Sequence, residues 1–215
     1  MLLSMMQTQA ERATDRPPLN FLQQILDESA QMHRHLCPRQ VLGARIGLLG
    51  LRTLGLIDAA YQKRFYNSRK RLLTIVETDG CGADGISVAT DSYVGRRTMR
   101  VVDYGKVAAT LVDIQQEIAV RIWPSSNARD LAERFAPNEK SRWHAYLLGY
   151  QLMPDNLLLR VQPVQLTQSI QQIISKPNHY ISCASCGEEV MNEREVVQNG
   201  RILCQACAGN SYYVT

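Results

Sequence analysis

The sequence predicts an α+β fold followed by a small, metal-stapled module at the C-terminus. Two stretches of helical periodicity open the chain, and short strand-like runs come after them. The order of helices and strands never settles into the βαβ alternation of a parallel sheet, so a mixed or antiparallel sheet with packed helices is expected. The module is marked by two C-x-x-C pairs, Cys183-Ala-Ser-Cys186 and Cys204-Gln-Ala-Cys207, with seventeen residues between them.

Residues 1–18 end at Pro17-Pro18 and read as a flexible segment. Phe21, Leu22, Ile25, Leu26, Ser29 and Met32 recur at helical spacing, giving a helix that stops near Leu36, because Pro38 disfavours helical geometry at Cys37. Pro38 suits the first turn of a second helix, running to about Leu54. That helix is apolar on most faces. Gly43, Gly47 and Gly50 interrupt it at about 1 kcal/mol each relative to alanine, so another element must approach closely, and a subunit interface is one place for it. Leu72–Thr78 reads as a strand, 79–85 as a loop, and a short helix should begin near Ala83. Met99–Asp103 and Val107–Ile114 read as strands paired with one another around Tyr104-Gly105. A further strand is expected over 118–123, helices over 127–135 and 138–149, and a last strand over 157–164. Lys176-Pro177-Asn178 reads as a linker, which divides the chain into a core at 19–175 and a four-cysteine zinc-finger domain at 179–215.

At 215 residues the chain suits one medium domain plus a small one. A net charge of +4 is too small by itself to imply a nucleic-acid partner. No apolar run is long enough to span a bilayer. The start, Met1-Leu2-Leu3-Ser4-Met5-Met6-Gln7, lacks the basic region of a signal peptide. Cysteines used as metal ligands suit a reducing compartment, so cytoplasm is expected.

The four module cysteines, Cys183, Cys186, Cys204 and Cys207, have the spacing of a closed tetrahedral Zn²⁺ site. Gly187 can adopt positive φ at no steric cost and turn amides toward the thiolates. Asn199-Gly200 is a strong hairpin signal. A treble clef follows if Cys204–Cys207 opens a short helix; otherwise the module is a zinc ribbon. Arg194 and Arg201 stand against Glu188, Glu189, Glu193 and Glu195. An acidic module is a poor phosphate reader, so its expected partner is protein rather than nucleic acid.

The remaining cysteines lie in a second constellation. His33-Arg34-His35-Leu36-Cys37-Pro38 puts two of four histidines beside Cys37, where a helix N-terminus lowers a thiol pKa. Cys81 follows the first strand, among Glu77, Asp79 and Asp84. A metal or catalytic site is one reading; buried cysteines acting as small hydrophobes are the other. His33 and His35 do not share a face on a regular helix, so only one is a ligand unless the helix has ended.

At these residues the chain resembles the FmdE family of formylmethanofuran dehydrogenase subunits. That family's His-Gly-His-x-Cys-Pro-Gly pattern appears as His33–Arg39, with Arg34 and Arg39 in place of glycines. Its Glu-Thr-Asp-x-Cys-x-x-Asp pattern matches Glu77–Asp84, and its Asp-Tyr-Gly-Lys-x-Ala pattern matches Asp103–Ala108. Its Gln-x-x-Thr-Gly becomes Ser87-Val88-Ala89-Thr90-Asp91. The resemblance implies an α+β homodimer with a second divalent metal, Zn²⁺, near His35, Cys37 and Cys81, with His33 as a further candidate ligand. Three protein ligands leave a position open for water, the arrangement of catalytic zinc. Cys37, Cys81, Asp79, Asp84 and Lys106 are then candidate catalytic groups. Either aspartate could serve as base or orient His35, and Lys106 could bind an anionic group. The implied function is accessory to molybdenum or tungsten formylmethanofuran (one-carbon) metabolism, and whether there is turnover stays open. Two alternatives stand beside it. One is a thiol-redox protein using Cys37 and Cys81. The other is a regulatory or nucleic-acid-binding module using Lys63-Arg64 and Arg69-Lys70-Arg71, with Phe65 and Tyr66 between them.

Overall fold

The computed structural model describes residues 16–174 and 178–214. Residues 1–15 of the expected flexible segment, and 175–177 around the expected linker, lie outside the described residues. The chain divides into two compact units, Met1–Gln165 and Leu166–Thr215.

The first unit is the mixed α+β fold. Helices α1 (Leu19–His33) and α2 (Pro38–Thr53) lead into β1 (Leu72–Val76), α3 (Cys81–Thr90), β2 (Met99–Val101), β3 (Ala109–Asp113) and β4 (Ile118–Pro124). Helices α4 (Ala128–Phe135), α5 (Arg142–Leu152) and α6 (Asp155–Leu158) follow, and β5 (Leu159–Val164) closes the unit. The sheet order is β2-β1-β3-β4-β5, with β1 and β2 parallel and every other pair antiparallel.

Helix α1 stops at His33, three residues before its expected end. Arg34 there takes a left-handed φ of 66°, and Pro38 at the first position of α2 requires the extended geometry seen at Cys37. Helix α3 begins at Cys81, two residues early, because Gly80 is extended and its carbonyl already accepts from the Ala83 amide at 2.8 Å. Cys81 therefore sits on the first turn of a helix rather than in a loop. The residues at the expected start of the last strand form α6 instead.

The expected pairing of the strands at 99–103 and 107–114 is not what forms. Both pair with β1, one on each side: Thr74 opposite Met99, and Val76 opposite Ala109. The intervening turn crosses the end of β1, where the Glu77 carbonyl accepts the amides of Tyr104 and Lys106, both at 3.0 Å, and the Glu77 amide donates to Ala108. A backbone carbonyl with two free lone pairs is enough to wrap the turn. Asp103 Oδ1 accepts the Gly105 amide at 2.9 Å within this turn.

Helix α2 is buried almost all round, because α3, the sheet and α5 cover its faces. Its glycines meet elements of the same chain. A Cβ on Gly43 would lie 2.1 Å from the Gly82 carbonyl oxygen, and one on Gly50 would lie 2.5 Å from Leu111 Cδ2. Arg45, in the middle of α2, is fully buried. Its guanidinium donates to the carbonyls of Tyr150 (2.6 Å) and Met153 (2.7 Å) and to Asp155 Oδ1 (2.6 Å). This pair ties α2 to the end of α5 and the start of α6. Burial pushes the Asp155 carboxyl up even with Arg45 beside it.

In the second unit, α7 (Ile170–Ile174) precedes two hairpins, β6 (Tyr180–Ser182) with β7 (Glu189–Met191) and β8 (Val196–Gln198) with β9 (Arg201–Leu203). A π-helical turn, Ala206–Asn210, ends it. Asn199 and Gly200 have φ of 53° and 73°, as a type I′ turn requires. That turn is irregular, with Gly209 at φ of 99°, and it begins within the second cysteine pair. Among the described residues, no helix is long and apolar enough to cross a membrane.

Replacing Arg45 by alanine leaves the Asp155 carboxylate buried without its fork. Urea unfolding should then show a loss of about 3–5 kcal/mol. Asp155→Asn should cost less, because the Arg45 guanidinium keeps its hydrogen bonds to the carbonyls of Tyr150 and Met153.

Candidate metal centres

The C-terminal centre is built by two turns. Gly187, with φ of 78°, closes the first C-x-x-C, its amide donating to the Cys183 carbonyl at 3.0 Å. The thiol sulfurs of Cys183, Cys186, Cys204 and Cys207 lie within 4.8 Å of one another, and Cys186 Sγ is 3.9 Å from Cys204 Sγ. A tetrahedral Zn²⁺ with bonds of about 2.3 Å has sulfur–sulfur edges of about 3.8 Å, so the cage fits this ion. Amides face the sulfurs: Ser185 and Cys204 donate to Cys183 Sγ at 3.4 and 3.3 Å, and Cys207 donates to Cys204 Sγ. The amides of Cys186, Cys204 and Ser185 hold the Cys183 thiol down to about 6. Cys183, Val190 and Leu203 form a very small apolar core, so the metal supplies much of this unit's folding free energy.

In the first unit, α2 and α3 pack side by side in parallel. Gly43 meets Gly82 and Ile86, Gly47 meets Ile86 and Ala89, and a Cβ on Gly85 would lie 2.1 Å from the Gln40 carbonyl oxygen. Both helices therefore begin at the same end, α2 capped by Cys37 and α3 starting at Cys81. Cys37 forms a capping box with Gln40: its amide donates to Gln40 Oε1 at 2.8 Å. Gln40 Nε2 in turn donates to Ser29 O at 3.0 Å and to Ser29 Oγ at 2.9 Å, fixing the start of α2 to α1. Cys37 is buried and Cys81 half-buried. Burial pushes the Cys37 thiol up. The amides of Gln40 and Arg39 pull the other way, and the Cys81 thiol adds to the rise.

His33 Nδ1 lies 2.9 Å from Asp84 Oδ2. Asp84 and Cys81 are three residues apart on α3 and share a face, so the imidazole stands beside the cysteine pair and keeps Nε2 for another partner. His35 is exposed, and its ring lies 4.7 Å from that of His33, a contact made possible by the early end of α1. Asp79 and Lys106 are exposed loop residues, with Lys106 Nζ 5.9 Å from the centre of the Tyr104 ring. Glu77 is buried and pairs with Arg121, Oε2 accepting at 2.7 Å, so its carboxylate is occupied. The structure thus gathers Cys37, Cys81, His33, His35 and Asp84, and leaves Asp79 and Lys106 at exposed positions. This set is looser than the C-terminal one. Among the described residues, only the four C-terminal cysteines place three or more ligand atoms within 4.8 Å of one another. Gln40 and Ser29 belong to no ligand or catalytic motif in the sequence. Cys37-x-x-Gln40 is a capping box with sulfur in place of the usual hydroxyl, and that was the available signal.

An α+β unit joined to a four-cysteine cage of zinc-fitting size defines a metal-binding protein. A family model described as "FmdE, Molybdenum formylmethanofuran dehydrogenase operon" matches residues 32–159, and the chain belongs to this family. Residues 179–213 match the "Prokaryotic dksA/traR C4-type zinc finger". A relative from Archaeoglobus fulgidus, described as "Probable S-adenosyl-L-methionine-binding protein", is 25% identical over 222 residues, covering 92% of this chain and 56% of the relative. This chain thus spans only about half of that relative's length. The crystal structure of a tungsten formylmethanofuran dehydrogenase FmdE-like protein from Syntrophus aciditrophicus aligns with a TM-score of 0.56 at 17% identity, over 93% of this chain and 99% of that one. At that identity the likeness shows the fold.

Two outcomes follow. Gly85→Ala should force α2 and α3 apart at the cysteine end, costing about 1–3 kcal/mol and raising the rate at which Cys37 and Cys81 react with a thiol reagent. Chelation should abolish the dispersed amide signals of residues 179–213 while the urea transition of the first unit persists.

Proposed function

We propose that the chain carries two metals with different tasks, a structural zinc in the four-cysteine finger and a second divalent cation, Zn²⁺, held by Cys37, Cys81 and one imidazole of the first unit. The observation that supports this reading is the convergence of both thiols at the paired starts of α2 and α3, beside a histidine already oriented by a carboxylate. Metal-ligating histidines commonly donate their second ring nitrogen to a carboxylate. His33 with Asp84 has that form, so His33, through Nε2, is preferred over His35, and a side-chain rotation completes the set. Asp84 then orients the ligand, leaving Asp79 as the free carboxylate at the rim. Three protein ligands keep one position for water or substrate, where the bound ion would act as a Lewis acid. In this reading the protein serves formylmethanofuran-type one-carbon metabolism in an accessory role, working as a cytoplasmic homodimer. The acidic finger then docks on protein rather than on nucleic acid. The description of the A. fulgidus relative makes S-adenosyl-L-methionine a ligand to titrate at the same centre.

The convergence of Cys37 and Cys81 at the paired starts of α2 and α3 also supports a second reading, reversible disulfide formation without a metal. Elemental analysis of protein prepared without added metal separates the two. Two metals per chain, falling to one in Cys37→Ser/Cys81→Ser, are expected. Asp84→Asn should weaken core metal affinity about 10–100-fold. One zinc in both proteins, despite resupply, with a chelator-independent loss of two thiols on oxidation, would establish the redox reading instead.

A further inference from the structure

The net charge of +4 is not spread evenly over the chain. Two segments hold no acidic residue: 59–76, with Lys63, Arg64, Arg69, Lys70 and Arg71, and 92–102, with Arg96, Arg97 and Arg100. They adjoin in the fold. Because β1 and β2 are parallel, the residues leading into each strand emerge at the same end of the sheet. One carbonyl fixes them there. Asn67 O accepts the Lys70 amide at 3.1 Å, closing the turn before β1, and accepts Arg96 Nη2 at 3.0 Å. Arg64 reaches the same region, donating at 3.0 Å to the Val88 carbonyl at the end of α3, whose capping residue Asp91 holds Arg96. Arg100 donates to the carbonyls of Arg97 and Met99, which turns its guanidinium back toward the start of β2.

The carboxylates of this end do not cancel its charge. Glu28, Asp91 and Asp113 pair with Arg64, Arg96 and Arg71. Asp58 precedes the first segment, and Glu117 lies on the turn between β3 and β4. Counting all five acids against the eight cations leaves an excess of three, out of the chain's four. Lys63, Arg69 and Lys70 are exposed and make no ion pair among the described residues. Tyr66, 70% exposed, stands between them in sequence, and the Arg96 guanidinium lies 5.8 Å from the centre of the Tyr93 ring. Lys70 and Arg97 hold φ of 52° and 60°, which glycine would adopt without strain. Each segment thus keeps a cation where the backbone favours another residue.

We propose that this end of the β1–β2 pair binds single-stranded nucleic acid, with phosphates on its arginines and lysines and a base stacked on Tyr66. The surface is separate from the cysteine pair, because Cys81 follows the other end of β1, and it does not rest on the metal reading above. Arginine forks match phosphate oxygens. A flat exposed ring among cations matches a strand whose base faces are open, which a duplex does not offer. A charge too small to imply such a partner when spread evenly becomes a local footprint when most of it stands at one end.

The test is fluorescence anisotropy of the full-length, zinc-loaded protein with labelled oligo-uridine and oligo-thymidine of about 15 nucleotides, at salt from about 50 to 200 mM. Wild type should bind, and more weakly as salt rises. Arg69→Ala/Lys70→Gly should reduce the slope of log affinity against log salt by about two, with Tm unchanged. Tyr66→Ala should weaken binding about tenfold and leave the slope as it is. Arg39→Ala/Lys106→Ala, which removes two exposed cations from other segments, should bind as wild type. Binding of oligo-uridine alone identifies RNA, and of oligo-thymidine alone DNA; either result, or both, supports the proposal. No binding at the lowest salt overturns it. Equal weakening by the Arg39/Lys106 double variant overturns it as well, since the attraction is then diffuse charge. Binding indifferent to Tyr66→Ala removes the stacked base and with it the proposal, and retention on phosphatidylcholine–phosphatidylserine vesicles would then identify a lipid surface instead.

Discussion

Helices α2 and α3 approach more closely than any side chain between them would allow. With Cβ positions on Gly43 and Gly85 only 2.1 Å from opposing carbonyl oxygens, backbone touches backbone along a parallel pair. Each glycine costs helix stability in isolation, and close packing of the two surfaces offsets that cost. The geometry has a chemical result. Parallel helices present both N-termini at the same end, and this chain places one cysteine at each. Amides of the first turn of α2 face the Cys37 sulfur and, with the helix N-terminus, oppose the rise that burial imposes on its thiol. Sites for thiolates need this combination of donors and field. Neither cysteine would have it if the helices crossed at a steep angle.

Around this contact the fold is fixed by buried polar groups rather than by apolar packing alone. Ser29, Gln40 and the cap of α2 form one chain of hydrogen bonds that sets the height of α2 against α1, and hence the position of Cys37 relative to His33. At the middle of α2, Arg45 satisfies carbonyls at the end of α5 that a helix terminus leaves without partners. Glu77 has a comparable role on the sheet side. Its carbonyl wraps the 102–108 turn and its carboxylate holds Arg121 on β4, which positions the strand end that leads into α3. A residue that stands beside Asp79 and Cys81 in sequence is thereby a support for the site and not part of its chemistry.

Much of this was legible from the residues. Helical periodicity placed α1 and α2, Pro38 placed the break between them, and the two C-x-x-C pairs with Asn199-Gly200 described the finger closely. The glycines of α2 announced a close approach, but periodicity cannot name the partner of a helix that is apolar on most faces. α3, reading as a glycine-rich loop and a short helix, was the least conspicuous candidate. The pairing of β2 was misread because proximity in sequence favours a hairpin, while the deciding interaction is a backbone carbonyl that every residue carries. The partnership of His33 with Asp84 was hidden for a related reason. It depends on where α1 ends, and a non-glycine residue in left-handed geometry at Arg34 gives no signal in composition.

The two cysteine sets differ in how far each depends on a metal for its fold. In the finger, four thiolates surround the ion and leave it no vacant position. Their excess negative charge is answered by backbone amides, and the small unit around them has little other means of cohesion. In the first unit the fold is already held by a large apolar core and by Arg45, so a metal there is not needed for folding. Two thiols and an imidazole make a set one ligand short of closure. A loosely gathered set at the edge of a rigid core keeps metal affinity separate from folding stability. Under the proposed reading, that separation would let the finger act as a fixed structural element while a metal at the core set exchanged a ligand.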